Sequence, residues 1–167
     1  MLFRSLYQSK KTYSVFFGGT YDWLYCESNE TIQQLSGTEF TLEFWINPTA
    51  YASGGTGNEE RTIFSTVGSG LGFRVSLDTT GIRFWDADNL SWGSAPVLLN
   101  TWQHVAISYD GSNLYTFIDG QLAKTSTGVN WTNDTLGLTE IYIGASVDPD
   151  RKSTRLNSSH IPLSRMP

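Results

Sequence analysis

The chain of 167 residues carries only 16% charged side chains, 14% aromatics, 16 glycines and a formal net charge of −5. So few charges beside so many aromatics exclude a disordered acidic chain, a coiled coil and a Glu/Lys-rich helical bundle, and no apolar run approaches the roughly 18 residues of a membrane span. The acidic balance argues against nucleic acid and anionic lipid as partners, while the length suits one domain that buries about 70% of its extended-chain surface.

Residues 1–12 contain no continuous apolar stretch and no small-residue cleavage site, so no signal peptide is predicted. Residues 13–149 read as short strands separated by turn signals. Residues 14–17 end at Gly18-Gly19, and 23–27 follow. The lone Cys26 reads as a half-buried strand residue and says little about redox compartment. Residues 38–47 alternate cleanly: Phe40, Leu42, Phe44 and Ile46 take one face, Thr41, Glu43 and Trp45 the other, and Pro48 closes the run. After a Gly/Ser-rich loop at 51–60, strands are predicted at 62–66, 72–77 and 82–85. Residues 102–109 set His104, Ala106 and Ser108 against Val105, Ile107 and Tyr109. Asp110-Gly111 marks a turn and 114–118 a strand. Asp119-Gly120 is a hairpin signal, because that dipeptide tolerates the positive φ of a type I′ turn. Residues 121–126 return, and 140–145 form the last native strand. Some nine or ten strands, with no helix and no crossover unit, predict an all-β antiparallel sandwich of two sheets.

The composition changes at Asp150. Residues 1–149 hold 7 Lys/Arg against 15 Asp/Glu, whereas 150–167 hold 4 against 1 and show neither alternation nor a helical stripe. Residues 150–160, DRKSTRLNSSH, resemble the in-frame translation of a common sequencing adapter, and 164–167 resemble its continuation. The segment 150–167 is therefore read as non-native and set apart from the fold. The native sequence is expected to stop near Asp148.

Five segments in order carry a family resemblance: YSVFFGGTYDWLYCESN, TLEFWINPT, LGFRVSLDTTGIRFW, LNTWQHVAISYDGSNLYTFIDGQL and EIYIGA. Together they resemble the laminin-G-like domain of the concanavalin A-like jelly-roll superfamily, across residues 13 to 145. The resemblance implies a jelly-roll sandwich, core positions for Trp45 and Trp102, and a further closing strand where the adapter-like sequence stands. A sandwich truncated before that strand is expected to leave an edge unpaired.

Catalytic patterns are missing. Hydrolases of this superfamily carry Glu-x-Asp-x-Glu or Glu-x-Asp-x-x-Glu on one strand, which aims an acid and a nucleophile at one sugar. No such triplet occurs; Glu39 and Glu43 share a face with no Asp between them, and Glu59-Glu60 lie in a loop. His104, the one histidine before the tail, sits mid-strand without a Ser or Cys motif and reads as structural or solvent-facing. The chain is expected not to be an enzyme.

Binding has more support. Trp85, Asp86, Asp88, Asn89 and Trp92 crowd one polar stretch, and Trp131 lies in a second rim loop at 130–135. An indole stacks on the apolar face of a sugar ring while carboxylates and amides meet its hydroxyls. Asp86, Asp88 and Asn89 could instead give oxygen ligands to Ca2+, a use the resemblance also implies, although the stretch lacks the glycine and closing Glu of an EF-hand. A hairpin turn with two packing tryptophans is the plainer alternative. Asn29, Asn89, Asn130 and Asn133 begin Asn-x-Ser/Thr triplets, which matter only in a eukaryotic secretory setting.

The expected function is a non-catalytic recognition or adhesion module for a glycan or surface protein. It would form part of a larger multidomain protein that is extracellular, on a cell surface, or on a virion appendage such as a phage tail fibre. A fragment of a glycoside hydrolase and a ligand-free spacer are the competing readings.

Overall fold

The computed structural model describes residues 14–17, 23–27, 39–52, 61–66, 73–85, 91–129, 140–144 and 159–160. Eleven strands follow one another among them: β1 (Leu24–Glu27), β2 (Phe40–Ile46), β3 (Arg61–Thr66), β4 (Arg74–Leu77), β5 (Ile82–Trp85), β6 (Ser91–Ala95), β7 (Gln103–Tyr109), β8 (Asn113–Ile118), β9 (Gln121–Thr127), β10 (Glu140–Ile143) and β11 (Ser159–His160). Every pairing is antiparallel, in a six-stranded sheet β1-β10-β3-β4-β5-β6 and a five-stranded sheet β11-β2-β7-β8-β9. Among the described residues no helix is long and apolar enough to cross a membrane.

The alternation read in residues 38–47 and 102–109 is the register of the five-stranded sheet. Phe44 pairs with Val105, Leu42 with Ile107 and Phe40 with Tyr109, and all but Leu42 are buried. Strand pleating sends the intervening residues to the opposite face. Phe40 reaches across to the other sheet, with its ring 5.7 Å from Phe73 and 6.4 Å from Phe84, while Tyr109 lies 5.8 Å away in its own sheet. Val75, Leu77, Ile82, Val105, Ile107 and Leu114 fill the remaining space with at most 2% of their surface exposed.

Two turns form as their residues dictate. Asp119 and Gly120 have φ values of 52° and 76°, the double positive of a type I′ hairpin. The Asp119 carboxylate accepts the His104 amide at 2.8 Å and the Gln103 side-chain amide at 3.0 Å, and these bonds hold it below the ordinary carboxylate value. At the preceding turn, Asp110 accepts from the Ser112 and Asn113 amides at 2.9 and 2.7 Å and from the Tyr115 hydroxyl at 2.9 Å. Its carboxyl is lowered to about 2, chiefly by the two amides.

Two expectations need correction. Residues 91–95 were not foreseen as a strand, because Ser-Trp-Gly-Ser-Ala has no alternating apolar pattern; pairing with β5 makes them β6, and a bulge between Ile82 and Phe84 absorbs the irregularity. Among residues 14–17 only Val15 makes a bridge, so that segment is not a full strand. Outside residues 13–149, β11 pairs with the edge of β2, Ser159 opposite Ile46 and His160 opposite Trp45. A ladder is built from backbone groups and needs no side-chain pattern.

Gly81 has φ +156°, and a Cβ there would lie 2.0 Å from the Ala95 carbonyl oxygen. Gly111 has φ +92° with open space around it. In urea denaturation, Gly81→Ala is expected to lose about 3 kcal/mol, since backbone must move, and Gly111→Ala about 1 kcal/mol from φ alone. Equal losses would mean that the contact with Ala95 is not the constraint.

Candidate functional site

On the six-stranded sheet the inward residues of β4 and β5 are Val75, Leu77, Ile82 and Phe84, all buried. Their neighbours Arg74, Ser76, Arg83 and Trp85 therefore share the outer face, and the register pairs Arg74 with Trp85 and Ser76 with Arg83. The Trp85 indole N–H donates to the Ser76 hydroxyl at 3.0 Å, which fixes the plane of the ring. Above it, the guanidinium carbons of Arg74 and Arg83 stand 5.0 and 5.4 Å from the ring centroid. Guanidinium groups favour this position because the face of an indole is electron-rich.

Arg83 is itself anchored. Its terminal nitrogen lies 2.6 Å from Asp78 Oδ2. Asp78 Oδ1 accepts the Thr80 amide at 2.6 Å, the Thr80 hydroxyl at 2.8 Å and the Gly81 amide at 2.8 Å, with the Ser94 hydroxyl at 3.3 Å. Burial pushes the Asp78 carboxyl up, but the Thr80 and Gly81 bonds and the Arg83 charge outweigh it, and it rests below its ordinary value. The β4–β5 turn thus steadies Arg83, and through it Trp85, at the point where β5 ends.

Of the residues singled out in the sequence, Trp85 closes β5 and belongs to this cluster. Trp92 is not in the loop but on β6, at the register position opposite Phe84. Asp86, Asp88 and Asn89 lie outside the described residues, as does Trp131. Among the described residues no group of three or more His, Cys, Asp or Glu could hold a metal ion. Arg74, Ser76 and Arg83 were missed, although Arg-Val-Ser and Arg-Phe-Trp already place each of them one position from a core residue.

A further correction concerns Trp45 and Trp102. Both were expected in the core, yet each is 39% exposed. Trp45 follows the parity of Thr41 and Glu43, not that of Phe44 and Ile46, so it stands on the outer face of the five-stranded sheet. Trp102 stands two residues before His104, out of phase with the buried Gln103 and Val105. The His104 ring packs 5.3 Å from Trp45, and its Nε2 lies 3.2 Å from Glu43 Oε2.

A laminin-G-like family model, described as the concanavalin A-like lectin/glucanases superfamily, matches residues 17–157. The chain belongs to that superfamily. Among solved structures, this concanavalin A-like domain resembles the CBM40 of the Ruminococcus gnavus IT-sialidase bound to alpha2,3 sialyllactose, at 14% identity and TM-score 0.63 over 89% of this chain and 85% of that one. It resembles the binding domain of botulinum neurotoxin serotype D at 15% identity and TM-score 0.57, over 86% of this chain but only 37% of that one. A candidate carbohydrate-binding protein from Bacteroides ovatus matches at 18% identity and TM-score 0.59, over 85% of this chain and 40% of that one. No curated protein sequence matches the chain. All three neighbours are named as binding domains or proteins, and the likeness at these identities is one of fold.

Asp78 gives the cluster a measurable pH signature. A carboxyl with a lowered folded pKa adds stability above its unfolded value near 3.8, and loses it as pH falls through the folded value. Asp78→Asn is expected to cost about 2 kcal/mol at pH 7, the scale of hydrogen bonds to a charged group. The gap from wild type should shrink below pH 4. A gap of the same size at pH 3 and pH 7 would show that the ionised carboxylate is not what matters.

Proposed function

We propose that this concanavalin A-like domain is a non-catalytic recognition module that binds a saccharide beside Trp85, where β5 runs into residues 86–90. The observation that carries the reading is the fixed Trp85 ring, held by Ser76 and accompanied by two guanidinium groups. A sugar resting there meets an indole edge together with Arg74 and Arg83. Asp86, Asp88, Asn89 and, from the second loop, Trp131 complete the proposed set; Trp92, at the register position opposite the inward Phe84, is set apart from it. The arginines suit a saccharide with a carboxylate, since guanidinium binds carboxylate through paired N–H donors. A structural neighbour bound to sialyllactose supports that choice, and the lack of a paired-carboxylate strand supports binding without hydrolysis. Asp86, Asp88 and Asn89 are three side-chain donors where Ca2+ takes six to eight oxygens, so no part of the binding is routed through a metal. As part of a longer extracellular or virion-surface protein, the module would hold that protein on a glycan-coated surface.

The test is isothermal titration with alpha2,3-sialyllactose and with lactose, repeated with EDTA. Wild type is expected to prefer the acidic sugar. Trp85→Ala and Arg74→Ala should each weaken it by roughly tenfold or more, about 1.4 kcal/mol. Full affinity in both Trp85→Ala and Arg74→Ala would remove the named site. A loss of all binding in EDTA would return Ca2+ to the mechanism.

A further inference from the structure

We infer that the outer face of the five-stranded sheet carries a second saccharide site, separate from Trp85, built on Trp45, Trp102, His104 and Glu43 and suited to an uncharged oligosaccharide.

Register and exposure place these groups together. Trp45 and His104 are directly opposed across β2 and β7, and Glu43 stands one pleat repeat along on the same side. Trp102 immediately precedes β7, two residues before His104, a step of about 7 Å in extended backbone. Two indoles, each 39% exposed, thus flank His104, one opposite it on β2 and one two residues before it at the start of β7. Such spacing serves successive rings of a chain better than one isolated ring. The Trp45 ring is held in place: the imidazole of His104 packs 5.3 Å away at 54°, and that imidazole is held in turn by Glu43 at 3.2 Å.

The surroundings decide the ligand class. The outward neighbours are Thr41, Glu43, Ala106 and Ser108, with the Thr41 hydroxyl donating to Ser108 at 3.1 Å. Neither β2 nor β7 contains Lys or Arg. On β2 and β7 an acidic sugar would find a carboxylate and no guanidinium, the reverse of the Trp85 cluster. A neutral sugar finds apolar indole faces for its C–H groups and carboxylate, imidazole and hydroxyl partners for its hydroxyls. A protein partner wants an apolar centre with a polar rim, but polar groups occupy the middle of this region. The apolar Phe117 and Leu122 continue the same face on β8 and β9, in the row of Glu43 and Ala106 and one pleat repeat from the row of Trp45 and His104.

The experiment records the tryptophan indole N–H signals of the full chain by NMR during addition of cellohexaose, xylohexaose and mannohexaose, with alpha2,3-sialyllactose alongside. At least one neutral hexasaccharide is expected to move two indole signals saturably. Those signals are assigned by their loss in Trp45→Ala and Trp102→Ala. Trp45→Ala should lower the affinity by roughly tenfold or more, Trp45→Phe by less, and Trp85→Ala by under about twofold. Spectra that keep their dispersion show that the variants are folded. The inference is overturned if no hexasaccharide moves these signals at about 10 mM, or if Trp45→Ala and Trp45→Phe both bind as wild type. It is also overturned if Trp85→Ala abolishes the neutral-sugar response, or if the signals move with protein concentration alone, which would assign the face to a second copy. Failure of sialyllactose at Trp85 leaves this result standing, because the two sites answer to different variants.

Discussion

The contact between the Phe40 ring and those of Phe73 and Phe84 joins the two sheets, and the parity of every neighbouring strand follows from it. Phe40 lies in the five-stranded sheet, Phe84 in the six-stranded sheet, and Phe73 just before β4. Once these rings face inward, period-2 pleating leaves no choice for the residues beside them. Thr41 must face out because Phe40 faces in. Arg83 and Trp85 must face out because Phe84 faces in. A slip of one residue in β2 or β5 would bury Glu43 or Arg83 and expose phenylalanine, so the core and the outer surfaces are one decision.

Both candidate surfaces are products of that decision, and they differ in chemistry because the outward positions of the two sheets differ. On the six-stranded sheet the outward set includes two arginines, one tied to the buried Asp78. On the five-stranded sheet it holds a carboxylate, an imidazole and hydroxyls. The sandwich supplies rigidity to each without contributing to recognition itself. This is the usual division between a scaffold that packs and side chains that select.

Much of the fold was legible because strands buried on one face announce themselves by alternation. Residues 38–47 and 102–109 did so, and Asp119-Gly120 announced its turn. β6 was not legible, because its small residues carry no pattern and its pairing depends on β5. Trp45 was misplaced for a different reason: the family resemblance implied a core position, whereas parity sets it on the outer face. The alternation in TEFTLEFWIN already set it with Thr41 and Glu43. The Trp85 region was found from the crowding of Trp, Asp and Asn, yet its arginines come from β4 and from two residues back along β5, where only cross-strand register brings them near.

The exposed edge of the five-stranded sheet bears on how copies of this protein coexist at high concentration. β9 is solvent-exposed at all but Ser126, and its outermost residues are Gln121 and Thr127. Sheets tend to extend by adding a like strand at such an edge. Lys124 is the midpoint of β9, so antiparallel self-pairing about the centre of the strand would set each Lys124 against the same residue of its copy. Like charges in direct opposition weaken a ladder, and one lysine at the strand's midpoint therefore works against the symmetric alignment in which two edges could share the most hydrogen bonds.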